Sequence, residues 1–522
     1  MPVSRRNLLR AGAAGALITT LPTTKPAVPR VVGELEDKIQ TAMQRYAIPG
    51  VSYALRYRGR DYSRGFGVTD LSNPRPVDDR TVFRVASTTK TFTGTAIMRL
   101  VEAGRIDLDR PVRSYLPGFR TADPAQSARV TVRQLLNHSP GWLGDYFKDT
   151  GPGDDALARF VASMSVTPQF NPPGQTFAYN NAALCVAGRL IEVKTGQTYE
   201  QAIDDLLIRP LRLRESAFFT DRIPHATVAM PHVPDPATGE MVASPEAFAM
   251  PRSVHAAGGL ISSARDQLAW ARFHLGDGGR LLSTRRLREM QTRPGPGGTL
   301  LVELDGMGVT WQIRPTAEGP KVIEHGGDWS GQHSGFVMVP ARDMALTVLT
   351  NSETGPALTA ELFGDDWALA RFAGVHNKPA RPLVLTAEQL APYVGPYTLT
   401  QTNLAGEFLS ATVDLVPDAG RLSMQVEGQV LAVLEFYRRD YVRLLEPSGA
   451  DTFFRADFDR GPDGKVTWFR YSGRILKAGA APAAASAPAA ASAPAAASAP
   501  AAAAAPAPAW PFPTGKIPWI LS

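Results

Sequence analysis

The chain of 522 residues contains one cysteine, Cys185. A single cysteine excludes an intrachain disulfide and a C-x-x-C metal site. Because Cys185 lies in the apolar stretch 182–187, we expect it to be a small buried core residue rather than a nucleophile. The sequence also lacks a metal-ligand cluster, a phosphate-binding loop and a G-x-S-x-G elbow. We therefore expect no metal and no cofactor.

The sequence also lacks a strong excess of one charge and long apolar runs. The net charge is +6 with 20% charged residues, and no basic run is interleaved with aromatic side chains. Nucleic-acid binding is therefore disfavoured. No stretch is long and apolar enough for a transmembrane helix. The apolar content of 44% is that of a soluble globular protein, and the length predicts two or three structural units.

The N-terminus reads as an export signal. Ser4, Arg5 and Arg6 form a twin-arginine pattern, and a weakly hydrophobic run follows at 11–21. This run is too short to span a membrane as a stable helix. We therefore expect a signal over residues 1–30 and a periplasmic or extracellular protein.

Hydrophobic periodicity predicts an α+β unit over residues 34–375. Strand-like patterns at 50–57, 335–339 and 345–349 frame a middle in which 91–104, 180–194 and 263–275 read as helices. This order favours an antiparallel sheet flanked by helices, with an all-helical subdomain inserted.

The C-terminal part has a different residue pattern. Residues 385–477 contain many short strands separated by Gly, Asp and Pro, which predicts a small all-β sandwich or barrel. Residues 478–522 are rich in Ala, Pro and Ser and predict a disordered spacer and tail. Such a tail allows cell-envelope association, and no obligate protein partner is indicated.

Ser87 and Lys90 form the only S-x-x-K in the chain. At the start of a helix this spacing places hydroxyl and amine on one face. A desolvated amine has a lowered pKa and can take the hydroxyl proton. The segment 91–101 contains one charge, Arg99, which indicates a mostly buried helix. For an isolated match, a solvated lysine near a helix start is the alternative interpretation.

Two further elements extend this pair. Tyr179 and Asn181 form the only Y-x-N, in a loop before a predicted helix; the alternative is a capping Asn beside a core Tyr. His325 begins an H-x-G element that ends at Gly327, where a glycine lets substrate lie against a sheet edge. H-x-G also occurs at residues 274 and 333, but at 325 alone predicted strands lie on both sides.

The three elements together resemble the serine β-lactamase and penicillin-binding-protein superfamily, in particular its class C-like branch. The resemblance covers about residues 34–374 and includes the motif spacing and the segments 104–112, 135–141 and 257–263. It implies a β-lactamase/transpeptidase-like fold, and residues 385–477 look like the lipocalin-like domain of some relatives.

The resemblance also implies roles for the site residues. Ser87 is the residue acylated, Lys90 its partner amine and Tyr179 the proton relay. Asn181 would orient Lys90 and the substrate. His325 and Gly327 are the other substrate-binding positions, and the backbone N–H groups of Ser87 and Asp328 would form the oxyanion hole.

His325 stands where many relatives carry lysine. A neutral imidazole binds a substrate carboxylate less strongly than an ammonium group does, so efficient β-lactamase activity is disfavoured. We expect a serine hydrolase of small peptide, amide or ester substrates, with D-amino-acid-containing peptides first (D,D-carboxypeptidase or D-aminopeptidase-like). The alternatives are a carboxylesterase or acyl transferase of the same fold, a β-lactamase, and a catalytically silent envelope-binding protein.

Overall fold

A computed structural model of the chain describes residues 29–276, 278–292 and 294–479. Residues 1–28 of the predicted export signal and residues 480–522 of the predicted tail lie outside these ranges. Within the described ranges, no helix has both the length and the apolar character needed to cross a membrane.

The strands of the first part of the chain build a large antiparallel sheet. Its order is β2, β1, β14, β13, β11, β10, β9, and β12 pairs with β13. The strands β3 and β6, β4 and β5, and β7 and β8 form separate pairs. Their bounds are β1 Gly50–Tyr57, β2 Arg60–Gly67, β3 Val82–Arg84, β4 His232–Pro234, β5 Met241–Ala243, β6 Ile261–Ser263, β7 Gly298–Thr299, β8 Glu303–Leu304, β9 Gly306–Met307, β10 Gln312–Arg314, β11 Val322–Glu324, β12 Gly327–Trp329, β13 Gln332–Val339 and β14 Met344–Thr350.

Helices cover the sheet and fill the long segment between β3 and β6. Their bounds are α1 Arg30–Arg45, α2 Thr89–Glu102, α3 Pro124–Ser127, α4 Val132–Leu136, α5 Ala156–Ser163, α6 Asn181–Thr195, α7 Tyr199–Ile203, α8 Arg209–Leu211, α9 His255–Gly258, α10 Ala264–Leu275, α11 Thr284–Thr292, α12 Gly355–Thr359, α13 Trp367–Ala373 and α14 Ala387–Leu390.

Both faces of the sheet are buried, because side chains alternate between two cores. In β1, Val51, Tyr53 and Leu55 belong to the core that the sheet shares with α1, α12 and α13. Ala54, between them, belongs to the core that includes α2, α6 and α10. Successive side chains of a strand point to opposite faces, so this alternation requires cover on both sides.

Two helices begin at the site described below. α2 is buried along its length except at Arg99 and Glu102, and it packs against α6 and α9. The Asn180 side chain caps α6 by accepting from the backbone N–H of Ala183 at 2.8 Å. The helix ends at Gly196, whose φ of 73° lies in the left-handed region that favours glycine.

The last strands close into an antiparallel barrel in chain order. They are β15 Gly395–Thr402, β16 Phe408–Asp418, β17 Arg421–Val426, β18 Gln429–Arg438, β19 Tyr441–Leu445, β20 Asp451–Arg460, β21 Val466–Tyr471 and β22 Arg474–Ala478. Its interior is packed with aromatic and aliphatic side chains. The predicted α+β class with a C-terminal all-β unit is confirmed, and the barrel alternative is the one observed.

The barrel packs against the loop that precedes α6. The indole N–H of Trp468 donates to Asn171 at 3.1 Å, and Arg470 Nε donates to the carbonyl oxygen of Phe177 at 2.8 Å. The backbone N–H of Tyr179 donates to the carbonyl oxygen of Gly473 at 2.8 Å. The rim of the barrel therefore lies beside the Y-x-N motif.

Candidate active site

Ser87 lies in a 3₁₀ turn, Ala86–Thr88, directly before α2. Ala86 has a φ of 43°, a left-handed conformation that costs a non-glycine residue free energy. Residues held in such conformations concentrate at functional sites. The turn places the Ser87 hydroxyl at the N-terminus of a buried helix.

Lys90 is one turn further along and has no exposed surface. Its Nζ lies 2.8 Å from the Oγ of Ser87 and donates to the carbonyl oxygen of Ala257, in α9, at 2.7 Å. Burial lowers the pKa of Lys90 from 10.5 to about 7, because the charged form loses its hydration. A substantial fraction of the amine is therefore neutral near pH 7 and can accept the Ser87 proton.

Cys185 lies in the buried core, as predicted, and contributes to the surroundings of Lys90. Burial raises the pKa of the Cys185 thiol to about 12. The thiol is therefore neutral, which fits a packing role and not a nucleophilic one.

Tyr179 is buried, and its phenol interacts with the Ser87 side chain. Burial raises the pKa of Tyr179 well above its usual value, so the phenol is protonated at neutral pH. Lys90 Nζ lies 4.9 Å from the Tyr179 ring centroid. Tyr179 can therefore move a proton between the serine and a leaving group without being ionised at rest.

Asn181 is the first residue of α6, and its amide donates to Asp145 Oδ1 at 2.7 Å. The nitrogen of Lys90 is bonded to Ser87 and Ala257. The expected contact from Asn181 to Lys90 thus stays a prediction, whereas the bond to Asp145 was not expected.

His325 follows β11 and is fully buried. Its Nδ1 donates to the carbonyl oxygen of Gly326 at 2.6 Å, which leaves Nε2 as an acceptor in the neutral ring. No described residue hydrogen-bonds to this Nε2. Burial, aided by the charge of Lys90, lowers the pKa of His325 to about 3. His325 is therefore neutral, and its ring centroid lies 6.3 Å from that of Tyr179.

Gly327 places β12 against the nucleophile turn. A Cβ at this position would lie 2.4 Å from the backbone nitrogen of Ser87 and 2.3 Å from the carbonyl oxygen of Val85. Only glycine fits such a close approach. Asp328 follows in β12, and its Oδ1 accepts from His333 Nδ1 at 2.7 Å. The two predicted oxyanion-hole residues are thus brought to one place.

The other two H-x-G histidines have different surroundings from His325. His274 is buried in α10 between Trp270 and Trp311, with ring centroids 4.5 and 4.9 Å away. Burial lowers the pKa of His274 to about 3. His333 is bonded to Asp328 as described.

Three residues of the site carried no assigned role in the sequence. His138 stacks on Tyr179 with ring centroids 4.6 Å apart. Arg474 comes from the barrel: its guanidinium carbon lies 4.8 Å from the Tyr179 ring centroid, and Nε donates to Asp145 Oδ2 at 2.9 Å. Motif spacing carries no signal for a contact between Asp145 and Arg474, which are 329 positions apart.

The arrangement has the parts of nucleophilic acyl transfer: a hydroxyl, a buried amine of lowered pKa, a proton-carrying phenol and nearby backbone N–H groups. Within the described ranges, no group of His, Cys, Asp and Glu side chains could hold a metal ion.

Comparison with known proteins gives the class of protein that carries such a site. The family model described as "Beta-lactamase" matches residues 35–371. The chain belongs to this family and is a serine hydrolase.

Individual relatives differ in their names. Penicillin-binding protein 4 of Amycolatopsis lactamdurans is 31% identical over 375 residues, which are 69% of this chain and 96% of the relative. Esterase EstB of Burkholderia gladioli is 32% identical over 194 residues, 34% of this chain and 49% of EstB. The crystal structure of SurE with D-Leu aligns with a TM-score of 0.67 and 26% identity, over 85% of this chain and 99% of SurE. The similarity to SurE covers more of this chain than the family model does.

Proposed function

We propose that this chain is an exported serine hydrolase that forms an acyl-enzyme on Ser87 and cleaves peptide, amide or ester substrates, first of all peptides that contain D-amino acids. The observation that carries the proposal is the 2.8 Å contact between Ser87 Oγ and the buried Nζ of Lys90. A lysine with a pKa of about 7 is suited to general-base chemistry near neutral pH.

In the proposed reaction, Ser87 Oγ attacks the substrate carbonyl carbon while its proton passes to Lys90 Nζ. The backbone N–H groups of Ser87 and Asp328 donate to the developing oxyanion. As the bond to the leaving amine or alcohol breaks, Tyr179 gives that group a proton and is reprotonated from Lys90. Water then adds to the Ser87 ester by the same route, releasing the acid and restoring the hydroxyl.

The charges of the site disfavour efficient hydrolysis of β-lactams. His325 is neutral, so the third motif does not supply the cation that a lysine would. The cation beside Tyr179 is Arg474, which belongs to the barrel. The similarity to the structure of SurE with D-Leu adds support for D-amino-acid chemistry.

Turnover of a substrate panel by the full chain tests this proposal. We expect D-alanyl-D-alanine peptides, D-amino-acid amides or p-nitrophenyl esters to be hydrolysed faster than a chromogenic cephalosporin. The Ser87→Ala variant should hydrolyse none of them, and Ser410→Ala, on the exposed surface of the barrel, should match wild type. No hydrolysis by wild type, or equal hydrolysis by Ser87→Ala, contradicts the proposal.

A carboxylesterase is the second candidate, and the similarity to Esterase EstB favours it. The same panel separates the two candidates. Ester hydrolysis without any cleavage of D-amino-acid peptides or amides identifies the esterase.

We also propose export by the twin-arginine route, which rests on Ser4, Arg5 and Arg6. We propose in addition that the enzyme acts on small substrates without nucleic acid or an obligate protein partner, and that the Ala/Pro/Ser tail permits envelope association. Fractionation of cells that express wild type or an Arg5→Lys, Arg6→Lys variant tests the route. Equal export of both would exclude it.

A further inference from the structure

The hairpin between β21 and β22 reaches Tyr179, the tyrosine of the Y-x-N motif. Gly473, at its tip, accepts a hydrogen bond from the backbone N–H of Tyr179 at 2.8 Å. The φ of Gly473 is 72°, and a Cβ there would lie 3.1 Å from Tyr179 Cβ and 2.3 Å from Leu300 Cδ1. The left-handed backbone at this position favours glycine, and the hydrogen bond to Gly473 holds the backbone of Tyr179.

The next residue of the hairpin, Arg474, brings a positive charge to the Tyr179 ring. Its guanidinium carbon lies 4.8 Å from the ring centroid, which is within cation–π distance. Its Nε donates to Asp145 at 2.9 Å and its Nη1 to the carbonyl oxygen of Ser472 at 3.0 Å. Both bonds hold the guanidinium in place.

Six titratable side chains surround Lys90. Its titratable neighbours are Tyr179, Cys185, His138, His325, Asp145 and Arg474. Burial keeps the phenol and the thiol protonated and both imidazoles neutral. In this set, Arg474 and Asp145 carry the charges, and the carboxylate of Asp328 also acts on Tyr179, His325 and Arg474.

These two ions act on Lys90 with opposite sign. Burial is the main cause of the low pKa of Lys90; the charge of Arg474 lowers this pKa further, and the charge of Asp145 raises it. The same cation lowers the pKa of Tyr179, which burial raises. In a site with little water, such charges are weakly screened.

We propose that the barrel is a working part of the catalytic centre: its hairpin positions Tyr179, and Arg474 places a positive charge against the same ring that Lys90 contacts, which favours the neutral amine that accepts the Ser87 proton. The proposal rests on the acyl-enzyme function of Ser87. Arg474 is thus a positioning residue that acts through Lys90 and Tyr179. A catalytic domain without its barrel would keep all its sequence motifs and lose this bias.

The test is the pH dependence of covalent labelling of the full chain by an uncharged fluorophosphonate. Ser87 Oγ attacks phosphorus, fluoride leaves, and the serine proton goes to Lys90 and then to solvent. The probe has no carboxylate, so a role of Arg474 in binding a substrate anion cannot contribute to the rate.

We expect the wild-type labelling rate to rise with pH through about 7, as Lys90 loses its proton. In Arg474→Gln the midpoint should move up by about half to one pH unit, so labelling at pH 6.5 slows about three- to tenfold. In Asp145→Asn the midpoint should move down. Arg474→Lys keeps a positive charge and should keep the wild-type midpoint, whatever its maximal rate.

Arg460→Gln is the matched control, because Arg460 pairs with Asp440 inside the barrel unit and should not move the midpoint. An unchanged midpoint in both Arg474→Gln and Asp145→Asn overturns the proposal, even if the maximal rates fall. If Arg474→Gln does not fold, the Asp145→Asn variant tests the proposal: a midpoint that moves down supports it, and one that stays or moves up contradicts it. Equal labelling of Ser87→Ala would instead contradict the proposed function itself.

Discussion

The catalytic centre and the barrel differ in how some of their polar groups are bonded. Lys90 is fully buried without a carboxylate bonded to its nitrogen, and Nε2 of His325 has no hydrogen-bond partner among the described residues. In the barrel, Arg460 Nη2 donates to Asp440 Oδ1 at 2.7 Å, and the Tyr393 hydroxyl donates to the same oxygen at 2.8 Å. The imidazole of His325 thus keeps a nitrogen without a partner in the described part of the chain, whereas the side chains of Arg460, Asp440 and Tyr393 bond to one another.

The difference shows what each region is built for. An unpaired buried amine destabilises the fold, and such costs persist where function requires them. Aromatic rings fill the barrel interior. The ring centroid of Phe458 lies 4.8 Å from that of Tyr393 and 4.9 Å from that of Phe469. The barrel thus contributes a stable body, and its proposed function lies at the rim that carries Arg474.

Lys90→Met should show the largest effect. We expect hydrolysis to fall about a thousandfold or more, because the proton acceptor is lost. The free energy of unfolding should nevertheless rise by about 1–3 kcal/mol at pH 7, since a pKa difference of one corresponds to about 1.4 kcal/mol.

The sign of this stability effect follows from proton binding. The pKa of Lys90 is lower in the folded chain, about 7, than its ordinary value of 10.5. The unfolded chain therefore binds more protons between these values, and wild-type stability rises with pH across them. The advantage of Lys90→Met, measured by denaturant unfolding, should shrink from pH 7 to 10. Lys465→Met, at an exposed position, should show no such trend.

In the barrel, Phe458→Ala should change the free energy of unfolding in the opposite direction. Removing this buried ring should lower the free energy of unfolding by about 3–5 kcal/mol, because neighbouring rings cannot close the cavity. Phe408→Ala, on the outside of β16, should cost much less. Equal losses in urea unfolding would contradict the assignment of Phe458 to a packed interior.

Two tyrosines give a matched comparison of the regions. Tyr179→Phe should slow hydrolysis about a hundredfold and leave the unfolding free energy nearly unchanged. Tyr393→Phe should leave hydrolysis unchanged and cost about 1 kcal/mol, because Asp440 and Arg460 lose a hydrogen-bond partner. The reverse pattern in kinetics and urea unfolding would remove the distinction between the regions.

Acid should weaken the catalytic domain before the barrel. The eight histidines of the chain all precede residue 385. Burial lowers the pKa of His274 from 6.5 to about 3, so its stabilising contribution is present above 6.5 and is lost as pH falls. Between pH 6.5 and 5.5, His274→Gln should reduce the loss of stability by about 1 kcal/mol. Hydrogen exchange should rise first outside residues 395–478, and an equal early rise in the barrel would contradict this.

Much of the fold follows from local sequence. The strands predicted at 335–339 and 345–349 lie within β13 and β14, and the helix predicted at 180–194 is α6, Asn181–Thr195. Boundaries are less exact: the helix predicted at 91–104 is α2, which begins at Thr89 after a 3₁₀ turn and ends at Glu102. Helix ends depend on capping and packing that periodicity does not encode.

The candidate site was only partly predictable. Ser87, Lys90 and Tyr179 belong to short motifs that the sequence shows, and the structure brings these residues together. The bond from Asn181 to Asp145 and the approach of Arg474 arise from packing between the loop at 145 and the barrel. Such contacts have no local pattern, because a single arginine in a strand reads as surface.

The most direct test of the central claim is the mass of the full chain after brief incubation with p-nitrophenyl acetate and acid quench, followed by peptide mapping. We expect one acetyl group, on the peptide that contains Ser87, and none in Ser87→Ala. An acetyl group on another residue, or equal acetylation of Ser87→Ala, would contradict an acyl-enzyme formed by the Ser87–Lys90 pair.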